Sequence, residues 1–286
     1  MAKSNYEYPG YERSGLAYWS KTIVLYSVVT IAALWTLAPF WWTITTAISK
    51  DPNAGLVLFF PEDATLQQFF RLYERVPIER WFFNSFVFAG TVTLFNLVFD
   101  SLAGYAFARL DFLGREKLFL LFIGTMMIPG MVTLIPVFIL LSELGWINTY
   151  RGLVAPFIAN PFGIFLLRQH FLGLPEALGE AGRLDGCNKF QVFYHIYLPL
   201  TKPALATLGI FTFMFTWNNF EWPLIIATSE EMFTLPVALF FVRGQFTNNW
   251  GLVMAAAVLI VLPPIIAFLS AQKHFIKGMT LSGFKG

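Results

Sequence analysis

Six stretches of this chain are apolar for long enough to cross a lipid bilayer, and that property restricts the fold more than any other. A spanning helix needs roughly 20 mostly apolar residues, and the stretches lie at about 22–44, 83–106, 118–141, 153–171, 204–227 and 252–268. Inside hydrocarbon every backbone N–H and C=O must be satisfied within the protein, so segments of this length span as helices. Composition agrees, with 57% hydrophobic and 13% charged residues, against about 45–50% and about 25% in soluble domains. The expectation is an all-α integral membrane protein with six transmembrane helices. The first stretch is too long for a signal peptide and runs into Pro39, Trp41 and Trp42 rather than a small-residue cleavage site.

Charge placement predicts orientation. Six spans put both termini on one side, and thirteen of the 19 Lys and Arg residues fall in the tails and loops of that side. Cationic loops face the cytoplasm, so the tails 1–21 and 269–286 are expected there. The 45–82 loop is expected outside; it holds an Asp51-Pro52 turn and a short amphipathic piece at 66–73. A net charge of +2 without basic clusters argues against nucleic acid as a partner. One cysteine, Cys187, allows no internal disulfide, and the three scattered histidines predict no metal site.

The loop between the fourth and fifth spans stands apart, running LPEALGEAGRLDGCNKFQVFYHIYLPLTKP from Leu174 to Pro203. Pro175 suits a helix's first turn, Glu176 and Glu180 favour its positive end, and Gly186 can take the left-handed conformation that ends it. A second helical piece is expected over about 188–195, with Phe190, Val192, Phe193 and Ile196 apolar and Pro199 as its stop. Physical reasoning leaves two roles open: a connector packed on its own bundle, or a surface offered to a partner.

The residues Glu180-Ala181-Gly182-Arg183-Leu184-Asp185-Gly186, followed by Ile196-Tyr197-Leu198-Pro199, resemble the "EAA" loop of permeases in binding-protein-dependent ABC importers. Gly182 departs from the alanine that family prefers, at a helix cost of order 1 kcal/mol. Trp81–Ser85, LAGYAFAR (102–109), MMIPGMVTLIP (126–136), LGWINT (144–149), TWNNFEWPL (216–224) and the tail FIKGMTLSGFKG (275–286) resemble the carbohydrate-uptake, maltose-type second permease. The resemblance implies a type I ABC importer permease domain over 82–271, in the plasma (inner) membrane of a bacterium or archaeon. It implies as partners a second homologous permease forming a heterodimer, two ATP-binding-cassette ATPase subunits and an extracytoplasmic solute-binding protein. The chain has no Gly-x-x-x-x-Gly-Lys-[Ser/Thr] loop, so it is expected to bind no cofactor and to be no enzyme, with ATP and Mg on the partners. The 174–199 loop would be the coupling element. Glu180 and Asp185 would serve polar contact or bracing, Ala181, Gly182 and Gly186 the helix and its bend, Pro199 the stop, and Phe190 and Phe193 apolar docking.

Polar residues within the spans are functional candidates by default. Asp100 precedes Arg109 by nine residues, roughly 13 Å along a helix, with Asn96 on the same face. The pair either lines a polar pathway or makes a structural hydrogen bond. Thr212, Thr216 and Asn219 share a face of the fifth span; they read as ligand contacts, with Trp217 or Trp222 stacking on a sugar ring, or as helix–helix contacts. Glu221, roughly 28 Å from Lys202, lies near the outer mouth and is either substrate-specific or simply wet. A different class of function, an ion-coupled secondary transporter using Asp100 and Glu221, would need repeat-related discontinuous helices. Pro156 and Pro161 predict a bend in the fourth span.

Overall fold

The computed structural model describes residues 16–50, 61, 63–246 and 249–282. The Asp51-Pro52 turn, most of the N-terminal tail and the last four residues of the C-terminal tail lie outside them. All regular elements among the described residues are helical, apart from one isolated bridge between Ser49 and Ala64.

Three helices are long and apolar enough to span alone: α1 (Leu16–Ala47), α3 (Ile78–Arg109) and the start of α14 (Trp250–Ser282), and three bent pairs bring the potential spans to six. Helix α1 packs on α14 and otherwise leaves large apolar side chains exposed, Trp35 among them. Lipid or a neighbouring subunit suits such a surface; water does not. The amphipathic piece forms α2 (Gln67–Arg75), which buries Gln68 and Leu72.

The spans depart from unbroken rods at prolines and polar residues. The third divides into α4 (Arg115–Thr125) and α5 (Gly130–Glu143), which meet at 97°. Between them runs Met126–Pro129, and Pro129 has no N–H to continue the ladder; the Pro129-Gly130 pair signals this break in sequence. The fourth divides at its two prolines into α6 (Tyr150–Val154) with the 3-10 turn Ala155–Phe157, and α7 (Pro161–Leu172), bent by 42°. The fifth ends earlier than expected, α11 (Lys202–Trp217) giving way after Asn218–Phe220 to α12 (Glu221–Ile226). An eleven-residue apolar helix, α13 (Leu235–Gln245), occupies what the sequence left as a loop.

Helix α3 organises the rest. Its first turns join the larger apolar cluster, where Trp81, Phe88 and Val92 pack with Leu153, Trp217, Trp222, Ile226, Leu235 and Leu252. Its last turns join a second cluster of Tyr105, Leu167, Phe171, Val192, Phe193, Tyr197 and Leu208. Near its start Trp81 Nε1 donates to Glu230 O at 2.9 Å, Asn84 Nδ2 to Glu231 O and Phe233 O at 2.7 and 2.9 Å, and Leu235 N to Ser85 Oγ at 2.7 Å. Ser85 satisfies the N–H of Leu235 at the start of α13, and Trp81 and Asn84 bond carbonyl oxygens of the Glu230–Phe233 turn.

Candidate functional site

The loop between the fourth and fifth spans folds into two helices with a sharp corner. α8 (Ala177–Leu184) ends at Asp185, and Gly186 follows at φ +84°. Cys187 N donates to Gly182 O at 2.9 Å and Gly186 N to Arg183 O at 3.1 Å. That bond pair is a Schellman stop, which needs a left-handed residue at the Gly186 position. Asn188 then opens the next helix with a reciprocal cap, its side chain accepting from Gln191 N at 2.9 Å while Gln191 Oε1 accepts from Asn188 N at 2.8 Å.

The second helix is longer than expected. It runs through α9 (Lys189–Gln191), a π-helical stretch Val192–Tyr197 and α10 (Leu198–Leu200), so Pro199 does not stop it. Proline lacks an N–H and crowds the preceding turn; widening that turn to π spacing accommodates it. The stop comes at Thr201, whose hydroxyl donates to Tyr197 O at 2.8 Å, before α11 leaves at 78°.

The two loop helices touch through glycines. Gly179 and Gly182 are buried, and a Cβ at Gly179 would lie 2.7 Å from the Tyr197 hydroxyl. A Cβ at Gly182 would overlap Ile196 Cδ1. At Gly182 an alanine methyl would force Ile196 to move, so the departure from alanine fits the close packing here.

Phe193, expected as a docking side chain, is instead 5% exposed, sealed by Tyr105, Phe171 and Phe190. It is the second residue of the π stretch and packs toward the bundle. Phe190 is 64% exposed and stacks on Tyr194, itself 55% exposed, and Leu184 is 89% exposed. Glu180, Ala181 and Asp185 are exposed as well. The outward face is thus Leu184, Phe190 and Tyr194 with the two carboxylates. Sequence reasoning passed over Leu184 and Tyr194, although their side chains are the kind that an amphipathic surface helix shows.

The loop is fastened to α3 and α7 by side chains reaching backbone. Arg109 Nη2 donates to Phe171 O at 2.6 Å and to Leu174 O, while its guanidinium lies 5.2 Å from the Tyr197 ring centre. Tyr105 donates to Lys189 O at 3.3 Å. Gly104 lets α3 approach α7 so closely that a Cβ would stand 3.0 Å from Arg168 N and Leu167 Cβ. Arg168 grips Glu116 at 3.0 Å and covers Phe119 at 3.9 Å, tying α4 to the same block. The Tyr105–Arg109 spacing of four was a legible sign that both act on one side.

The polar candidates within the spans are partly engaged, with Asn96 Oδ1, Asp100 Oδ2 and Thr216 Oγ1 left without a partner among the described residues. Asn96 Nδ2 donates to Phe157 O at 2.6 Å and Asp100 Oδ1 accepts from Asn160 N at 3.0 Å, both at the break between α6 and α7. Both side chains are buried. Thr212 and Thr216 face into the chain, and Trp217, 1% exposed, donates to Ile260 O at 3.0 Å. Trp222 is also buried and donates to Gly152 O at 3.2 Å. Neither tryptophan offers a free ring face to a sugar. Asn219 Oδ1 accepts from Trp222 N at 3.2 Å. Glu221 is exposed, as is Asn218 three residues earlier.

Residues 100–281 match the family of inner membrane components of binding-protein-dependent transport systems. The chain is 43% identical over 207 residues to the arabinooligosaccharides transport system permease protein AraQ of Bacillus subtilis, covering 72% of this chain and 74% of that protein. It is 32% identical over 259 residues to the lactose transport system permease protein LacG of Rhizobium radiobacter, covering 90% and 94%. In structure it resembles a chain of a bacterial ABC transporter involved in the import of the acidic polysaccharide alginate, with a TM-score of 0.81, 26% identity and coverage of 92% and 99%. The ion-coupled alternative receives no support from these relatives. The chain has the type I ABC permease fold and is a transport subunit rather than an enzyme. It is a multi-pass membrane protein and belongs to the family of inner membrane components of binding-protein-dependent transport systems.

Proposed function

We propose that the chain forms half of the translocation pathway for a sugar or related polyhydroxylated solute, delivered by an extracytoplasmic binding protein and driven by two ATPase subunits. Its two permease positions are filled by this chain and a homologous partner. The named relatives carry arabinooligosaccharides and lactose, which supports the sugar class. The chain itself binds no cofactor; MgATP is held by the ATPases. Six spans with both termini cytoplasmic fit the distribution of basic residues.

The observation that carries the mechanism is a surface loop with an exposed apolar face, clamped through its other side to α3 and α7. Leu184, Phe190 and Tyr194, flanked by Glu180 and Asp185, dock on the ATPase. Arg109 and Tyr105 then convert movement of that loop into movement of the helices, because side chain and backbone are bonded rather than merely adjacent. Coupling of this kind needs an element whose arrangement both sites bias. Exposed Glu221 and Asn218 do not suit lipid, and we assign them to the pathway or partner side of α11 and α12.

Uptake of arabinotriose and of lactose into proteoliposomes holding the complete transporter tests this reading. Uptake of either sugar that requires ATP inside and survives ionophores supports it. Uptake of either driven by an ion gradient without ATP would overturn it.

A further inference from the structure

Between the last turn of α3 and the inward side of the coupling loop lies a cavity of about 100 Å3. Its walls include Tyr105, Arg109, Asp111, Arg183, Lys189 and Val192. Tyr105 and Val192 are buried, so the cavity reaches in between α3 and the coupling loop.

Its charge is unbalanced. Arg109 gives Nη2 to the carbonyl oxygens of Phe171 and Leu174, its buried Nε has no partner, and its positive charge has no counter-ion among the described residues. Asp111 is held by Arg115 at 2.9 Å. Arg183 and Lys189 have no ion-pair partner among the described residues. Three cations and one engaged carboxylate around so small a space leave it attractive to an anion with several acceptor oxygens. Planar guanidinium donors and a lysine point charge together are the usual partners of phosphate.

The depth is informative too. The cavity is lined by Arg109, Leu110 and Asp111, where the second span ends; Phe112 and Leu113, next along the chain, are exposed, the latter 100%. An exposed apolar pair directly after a spanning helix belongs at the boundary of acyl chains and headgroups. Basic pockets between spans at that level hold anionic headgroups.

We propose that this cavity binds a phosphate group, carried by an anionic phospholipid or free in solution, beneath the coupling loop. The phosphate bridges α3's Arg109 to the loop's Arg183 and Lys189 and stiffens the joint that Tyr105 and Arg109 already make. The lipid source rests on the bilayer placement proposed above; ATP-driven uptake, recorded on the same particles, reports on the transport reading separately.

The test uses the complete transporter in nanodiscs of phosphatidylcholine, with or without phosphatidylglycerol. Native mass spectrometry reads retained phosphatidylglycerol, and radiolabelled inorganic phosphate reads binding in phosphatidylcholine alone. R183Q and K189Q should each weaken retention about fivefold, while K117Q, on the same side but away from the cavity, should leave it unchanged. Phosphatidylglycerol retained with that pattern identifies the lipid as the source; inorganic phosphate bound with that pattern identifies the free anion. The proposal is overturned if wild type retains neither, or if R183Q and K189Q bind as wild type does. Loss of the ATPase subunits from those variants in both lipids would overturn it as well, by giving the cavity to an ATPase carboxylate.

Discussion

Asp100 on α3 accepts the backbone N–H of Asn160 at 3.0 Å, one turn from where Asn96 donates to the carbonyl of Phe157 at 2.6 Å. Two side chains on one face of one helix thus satisfy the backbone that the 42° break in the fourth span leaves open. Water in bulk cannot do this within a bilayer, and broken helices persist there only where protein supplies the partners. The close approach of Gly163 to the Asp100 carboxylate shows how tightly the two helices meet.

Replacing Asp100 by leucine should therefore destabilise the assembled transporter, by about 1–3 kcal/mol for an unmade buried hydrogen bond. Asp100→Asn keeps an acceptor for Asn160 N–H and should retain most of the stability. Thermal unfolding of the purified complex separates the two. Equal melting of Asp100→Leu and wild type would remove the clasp from the account.

The helical membrane character of the chain and its family were legible because long apolar runs and the Glu180–Pro199 pattern are local signals. The fates of the polar candidates were not. Asp100, Thr212, Thr216 and Trp217 have the chemistry of a pathway, but which way each points depends on where helices from distant sequence pack. α13 escaped notice because its eleven residues are too short for a span, although Thr234 and Pro236 carry the start signal of a helix. The bend at Pro129-Gly130 was readable and was hidden only by the uninterrupted hydrophobicity around it.

Phe190 and Phe193 look alike in sequence and should behave differently. Phe193→Ala removes a buried ring from the Tyr105–Phe171–Tyr197 cluster, a change of about 3–5 kcal/mol, and should lower the yield of folded complex. Phe190→Ala and Tyr194→Ala should leave folding intact and release the ATPase subunits more readily. Co-purification of ATPase with tagged permease reads this directly; identical losses in all three variants would contradict the distinction between inner and outer face.

Gly186 lies at φ +84°, where an L-residue costs about 1–2 kcal/mol. Gly186→Asp should distort the corner between α8 and α9, and Glu180→Lys should reverse a charge on the exposed face. Both variants should insert normally, and both should hydrolyse ATP without matching uptake. Undiminished transport by the pair in a complementation assay would count against the loop as the coupling element.

Gly182→Ala offers a test in which two rules oppose each other. Alanine favours α8 by about 1 kcal/mol over glycine, and the resembling permeases prefer it at this position. Here the added methyl meets Ile196 Cδ1, and overpacking costs about 1–3 kcal/mol. The contact is to the far end of a flexible side chain, so part of the strain can relax by rotation of Ile196. Gly182→Ala alone should lower the thermal stability of the complex and weaken coupling of ATP hydrolysis to uptake. Shortening the opposing side chain in Gly182→Ala/Ile196→Val removes the clashing carbon and should restore both, since the helix gain of alanine then stands unopposed. A single variant more stable than wild type, with no further change in the double, would mean that helix propensity rather than the contact between α8 and the Val192–Tyr197 stretch governs this position.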